Sequence, residues 1–462
     1  MVRTYLINLQ SQVNSLLEAP LRVGAYLSFG STIVLIPFRF RYEVLSRPQP
    51  PVYSDFTDFL IFASDIFLIA TLVLWMLSLI LNPRRVSIGP GFLSIPILGI
   101  LVTSALSIPS SVDADLSLYH WLRVLSLAGF YLYALNEVKS LNRIILPVGL
   151  MILIQAFVGL GQHLAQRSIG LESLGEWILD PAWSGVGVVL AGEVRSLRAY
   201  GLTDHPNILG GCLVFGLLSL TAWYVQSRPR WDSLVSSVIT LGIITLFLTY
   251  SRAAWLAMLV GMGLLVIGLR RYRDGELVRR WLVLMAAGLI FLLPFIWQNA
   301  EFLGVRLNVG DSFTQITLEQ RSLSERRELN TAANEIFAAK PIFGVGLGAF
   351  PTALSSARPD AVYDYQPPHF ALLEAAAEIG LLGAAFYFVA IVAPWLAVWL
   401  NRERIELTPS FLGISAVLAA VTIVGFFDYY TWLLAPGRIW QWLVWGIWAA
   451  EYQSIFNAGK NV

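Results

Sequence analysis

The residues of this chain that could do chemistry are its arginines and four histidines. Of 31 basic residues, only Lys139, Lys340 and Lys460 are lysines. Arg252 stands in "LTYSRAAWLAML" (248–259), within an apolar run from about Leu234 to Leu269. A charge at the centre of a bilayer costs at least about 2.5–3.5 kcal/mol, so this guanidinium needs a reason to be there. Arg198 lies just ahead of another apolar run, and Arg326 lies in an amphipathic stretch leading into "KPIFGVGLGAF". A guanidinium makes bidentate, charge-assisted bonds to phosphate oxygens, so three of them near one bilayer surface suit a phosphate or pyrophosphate ligand. The competing reading is ordinary pairing with Glu325, Glu328 or Asp204 and, for Arg252, snorkelling from a helix end. In "YQPPHFALLEAAAEIG", Pro367 and Pro368 precede His369. Histidine is the side chain whose ordinary titration falls near neutral pH, which makes His369 the candidate general base; a capping or surface histidine is the alternative. His205 lies in "GLTDHPNILGG", His120 enters an apolar run and His163 ends one. Glu374 and Glu378 follow one helical turn apart and should face the bundle interior or an aqueous cavity. There is no H-E-x-x-H and no cysteine pair. The expected reaction is metal-independent, and no cofactor is implied.

The elements that must position these groups are membrane helices. Hydrophobic residues make up 56% of the chain and charged residues 13%, with a mean hydropathy of +0.67, against roughly 25% charge in a soluble domain. Runs long enough to cross about 30 Å of hydrocarbon recur throughout. They predict an all-α integral membrane protein of about twelve spans, near 22–38, 57–81, 90–108, 118–135, 143–163, 206–226, 233–250, 253–269, 281–297, 371–400, 409–427 and 437–453. Alternating sides groups the short basic connections "NPRR", "NEVKSLNR", "QSRPRW", "RRYRDGELVRR" and "NRERIE" on one side, the cytoplasmic one by the positive-inside rule. Both termini then fall in the cytoplasm. The other side holds about 164–205 and a large loop, 298–370, between spans nine and ten. "SLSERRELNTAANEIFAA" predicts an amphipathic helix within that loop, stopped by Pro341. Gly344, Gly346 and Gly348 then form either a turn whose amides approach an anion or a plain loop. The lone Cys212 excludes a disulfide framework. The N-terminus lacks the pattern of a cleaved signal peptide, so the first span should be retained. Chain 1–462 is read as one polytopic membrane domain, with membrane lipid as its surroundings and no nucleic-acid partner.

Four segments in order, "GLTDHPNILGGCL", "LTYSRAAWLAML", "RRELNTAANEIFAAKPIFGVGLGAF" and "PHFALLEAAAEIGLLGAAFYF", resemble the O-antigen ligase and O-antigen polymerase superfamily of bacterial membrane glycosyltransferases. The resemblance covers a core of 195–390. It implies a metal-independent, inverting transfer of a glycan from undecaprenyl pyrophosphate to a hydroxyl of a lipid-linked or other acceptor, at the outer (periplasmic) face of the bacterial inner membrane. The family's hairpin arginine falls on Arg252, its loop arginine on Arg326 with Arg327 beside it, and its loop histidine on His369. Arg198 and His205 are further carry-overs to substrate binding. The aromatic common four residues after the loop arginine is Asn330 here. Alternatives are a polysaccharide polymerase of the same superfamily, a protein O-oligosaccharyltransferase, or a small-anion transporter. A secondary carrier should show matching halves with broken midplane helices, and no such repeat is visible.

Overall fold

The computed structural model describes residues 2–226, 232–271, 275–307, 317–405 and 407–458. The basic connection at 227–231, part of that at 270–280 and residues 308–316 of the large loop lie outside the described residues.

Each apolar stretch of the sequence coincides with a helix. In chain order these are α1 (Val2–Leu35), α2 (Ala63–Leu81), α3 (Gly91–Ser107), α4 (Ala114–Tyr133), α5 (Ile145–Ala165), α6 (Pro206–Gln226), α7 (Asp232–Leu248), α8 (Arg252–Arg271) and α9 (Gly275–Gln298). The large loop then contributes α10 (Ala300–Leu307), α11 (Thr317–Ala339) and α12 (Phe350–Ala357), and the chain closes with α13 (Ala371–Leu400), α14 (Pro409–Phe427) and α15 (Ala435–Ala458). Among the described residues, seven helices are long and apolar enough to cross a membrane, and α7 and α8 are shorter apolar helices. The other three long helices of the expected set do not meet that measure: α1, α4 with Asp115, His120 and Arg123, and α15 with Arg438, Gln441 and Glu451.

Burial sorts the helices. α6 and α14 are apolar all round and enclosed by neighbours, as a helix without a polar face must be when it sits inside a bundle. α9 lies at the periphery, with Ile290, Phe291 and Trp297 exposed. The structure departs from an all-α reading in two small antiparallel ribbons. β1 (Arg41–Leu45) pairs with β2 (Phe59–Phe62), and β3 (Val188–Ala191) pairs with β4 (Val194–Leu197). The second span therefore begins at Ala63 rather than 57, because "FLIF" reads equally well as strand or helix by hydrophobicity alone.

The tenth long span is broken. Gly380 in α13 has φ +73°, a left-handed conformation that favours glycine. Val345 N donates to Ala377 O and Gly346 N to Glu378 O, both at 2.9 Å, while Leu381 N donates to Pro341 O at 2.8 Å. Residues 341–348 are thus wedged into the break and supply the partners that irregular backbone in a bundle requires. This corrects the anion-binding option for Gly344, Gly346 and Gly348: Gly344 N donates to Lys340 O, Gly346 N to Glu378 O, and Gly348 N to the Glu378 carboxylate. The Glu378 carboxylate closes the wedge, accepting from Phe350 N at 3.4 Å and from Trp432 Nε1 at 2.8 Å.

Candidate active site

α7 and α8 are joined through Thr249, Tyr250 and Ser251, a hairpin so tight that Tyr250 takes φ +49°. Such a conformation costs of order 1–3 kcal/mol in a bulky residue and persists when its surroundings hold it. Here Tyr250 is fully buried, its hydroxyl donates to Asn299 Oδ1 at 3.0 Å, and its carbonyl accepts from Arg306 Nε at 3.1 Å. Gly210 of α6 leaves no room for a Cβ against Ala254 and Ser251, which lets the hairpin close onto α6. The outcome is Arg252 as the first residue of α8. A cation at a helix N-terminus is opposed by the macrodipole, while an anion placed there is favoured by both.

Arg252 opens onto a cavity of about 540 Å³ at one end of the bundle. Arg195, Arg198, Arg306 and Arg326 also line it, and the carboxylates facing these five arginines are Glu325 and Asp428. His205 and His369 complete its titratable wall. The structure therefore brings together Arg198, His205, Arg252, Arg326 and His369, five of the six residues singled out in the sequence. Arg327 points elsewhere: it is exposed and absent from the lining, because adjacent residues on a helix lie about 100° apart and Arg326 takes the inward face. Arg195 of β4 and Arg306 of α10 are members that the sequence did not single out, since neither stands in a segment with a readable pattern.

The acids offered as alternative partners are engaged by other arginines. Asp204 binds Arg39 at 3.0 Å and Arg41 at 2.9 Å, Glu325 binds Arg321 at 3.2 Å, and Glu328 binds Arg358 at 3.4 Å. The other histidines are buried outside this cavity. His163 Nδ1 lies 2.8 Å from Leu197 O, and His120 Nδ1 lies 3.3 Å from Arg438 Nη1.

Asp428, which follows α14, is the main residue that sequence reading missed. Its Oδ1 lies 3.6 Å from His369 Nδ1, an electrostatic contact longer than a formed hydrogen bond and of the kind that tightens when substrate arrives. Burial raises the Asp428 carboxyl, but His369, Arg326 and His205 outweigh it and hold the group down at about 2. It is ionised at neutral pH. Tyr429 packs its ring on His369, with centroids 5.2 Å apart. His205 is pushed down to about 3 by burial and by Arg198, and stays neutral. Its Nδ1 accepts from Asn207 N at 3.1 Å, which leaves the proton on Nε2 as a donor. The signal for Asp428 was present as an acid at the end of an apolar run, but its approach to His369 is a contact between distant segments.

Residues 235–388 match the O-antigen ligase family model. The matched stretch contains Arg252, Arg326 and His369, and stops short of Arg198, His205 and Asp428, which the fold brings to the same cavity. No curated protein matches the chain. The match and the apolar helices support a membrane glycosyltransferase of the ligase or polymerase type.

Proposed function

We propose that the chain transfers a glycan from an undecaprenyl-pyrophosphate carrier to an acceptor hydroxyl on a lipid-linked or other glycan, at the outer face of the bacterial inner membrane. The observation that carries this reading is a single cavity holding five arginines opposite a His369–Asp428 pair. As the acceptor oxygen attacks the anomeric carbon, His369 takes the hydroxyl proton. The bond from that carbon to the pyrophosphate oxygen breaks, and the leaving group keeps the electron pair. Direct displacement inverts the anomeric centre. Charge develops on the departing pyrophosphate, where guanidiniums already in place stabilise it without reorganisation. Asp428 fixes the imidazole orientation and stabilises the imidazolium that forms, without itself accepting the proton.

The positive-inside pattern supports reading the cavity as periplasmic and both termini as cytoplasmic. The experiment is paired: binding of the lipid pyrophosphate donor and glycan transfer, in wild type and His369→Ala. Loss of transfer with retained binding supports the assignment. Normal transfer by the variant removes His369 as the base, and loss of donor binding recasts it as a pyrophosphate ligand.

A further inference from the structure

Along the wall of the cavity, a chain of contacts joins the α7–α8 hairpin to His369, and Arg198, Asn207 and Asp428 all line it. Arg198 donates from Nε to Thr249 O and from Nη2 to Asn207 Oδ1, both at 2.7 Å. Asn207 Nδ2 in turn donates to Asp428 Oδ2 at 3.1 Å, and Asp428 Oδ1 faces His369. The Asn207 amide therefore stands between a buried guanidinium and a buried carboxylate. Those two groups are opposite in charge and largely buried, and without the amide between them they can pair directly. The side chain is well placed to keep them apart: Asn207 sits in the first turn of α6 behind Pro206, with its own N–H on His205 Nδ1.

The chemistry of the position is narrow. It calls for one acceptor toward Arg198 and one donor toward Asp428 on a short planar group. A primary amide has both, a carboxylate lacks the donor, and an aliphatic side chain lacks both. We propose that Asn207 is a positioning residue, an uncharged spacer that keeps Arg198 from capturing Asp428 and so leaves Asp428 Oδ1, which also accepts from Tyr429 N at 2.9 Å, facing His369. The proposal rests on the reading of His369 as the base. It gives the "HPN" of 205–207 a role apart from binding substrate.

The charged and titratable groups around His369 come from several elements: Asp428 and Tyr429 after α14, His205 and Arg198 ahead of α6, Arg252 of α8, and Glu325 and Arg326 of α11. Against that fixed background, two substitutions act in opposite senses. In Asn207→Ala, Arg198 closes on Asp428, and the imidazolium loses its counter-charge. In Asn207→Asp, a nearly isosteric change, Arg198 is occupied by the new carboxylate and one more negative charge lies near the base.

The test is the pH–rate profile of glycan transfer with purified full-length protein and a lipid pyrophosphate glycan donor, with kcat and KM separated. The expected result for Asn207→Ala is a fall in kcat of about 10–100-fold, the usual cost of losing support behind a working histidine. KM for the donor should stay within about threefold, since Arg252 and Arg326 remain in the cavity. The acidic limb of the profile should move to lower pH in Asn207→Ala and to higher pH in Asn207→Asp. A limb that is unmoved, or that moves the same way in both variants, overturns the spacer role, and so does a change confined to KM. The position of the limb does not depend on how much protein folds. His369→Ala separates the two claims: if it transfers normally, the base reading itself fails. If it is inactive while the Asn207 limbs stay put, only the spacer role fails.

Discussion

Two of the ionisable clusters among the described residues have opposite fates. Around the cavity, Arg252, Arg326 and His369 stand beside open volume. In the other cluster, Glu374, Glu378, Arg438 and His120 are enclosed. There the groups are largely turned on the protein itself. Glu378 holds the backbone of Phe350 and the indole of Trp432, and Arg438 donates to Trp432 O and lies against His120. Nearby, Arg123 binds Asp65 at 2.8 Å and Tyr119 at 2.6 Å. A charged residue within a membrane bundle is by default a functional hypothesis. The comparison shows that it can instead be architectural: Glu378 secures the wedge that lets α13 break at Gly380. What separates the two clusters is the size of the volume left beside them, about 540 Å³ next to Arg252 and about 80 Å³ next to Arg123 and Arg438.

The largest expected effect tests the open cluster. His369→Ala should lower kcat by about 10²–10⁴-fold, the usual contribution of a positioned base, measured as glycan transfer alongside donor binding. Next come the arginines. Arg252→Lys and Arg326→Lys keep the charge but lose the planar fork, and each should lower transfer by about 10²–10³-fold with membrane insertion intact. Full transfer by both variants would show that the cavity does not grip pyrophosphate.

The enclosed cluster should respond in stability rather than chemistry. Glu378→Gln weakens the acceptor for Phe350 N and Trp432 Nε1, at a cost of about 1–3 kcal/mol. The measurement is thermal unfolding in detergent, with transfer per folded molecule remaining within about twofold of wild type. A selective loss of turnover at unchanged stability would erase the distinction between the clusters. A finer test concerns pH. The folded His205 is held low, at about 3, so its neutral form prevails above that pH, and Asp428, held at about 2, is ionised over the same range. Neither titrates between pH 5 and 9, so His205→Asn should leave the acidic limb of the pH–rate profile where wild type has it. The smallest effect belongs to the residue beside the cavity: Arg327→Gln should change transfer less than about twofold, while Arg326→Gln, one position away, should nearly abolish it.

What the amino-acid sequence determined by itself was local. Apolar runs located the long helices, because burying a helix in hydrocarbon depends on its own composition and length. The tight "TYSR" turn set Arg252 at a helix start, and the amphipathic period of 322–339 foretold α11. Arg198, Arg326 and His369 were legible for the same reason, as polar groups beside apolar runs. Tertiary structure decided the rest. Whether Arg326 or Arg327 faces the cavity depends on how α11 is rotated against its neighbours. The glycines of 344–348 could be read as an anion-binding turn until their amides were found on Lys340 O, Glu378 O and the Glu378 carboxylate. Asp428 and Asn207 came to line the cavity through contacts with segments far away in the chain. Helix formation is governed by neighbours in sequence, whereas the pairing of a base with its carboxylate depends on which helices pack together, and no local pattern of residues carries that information.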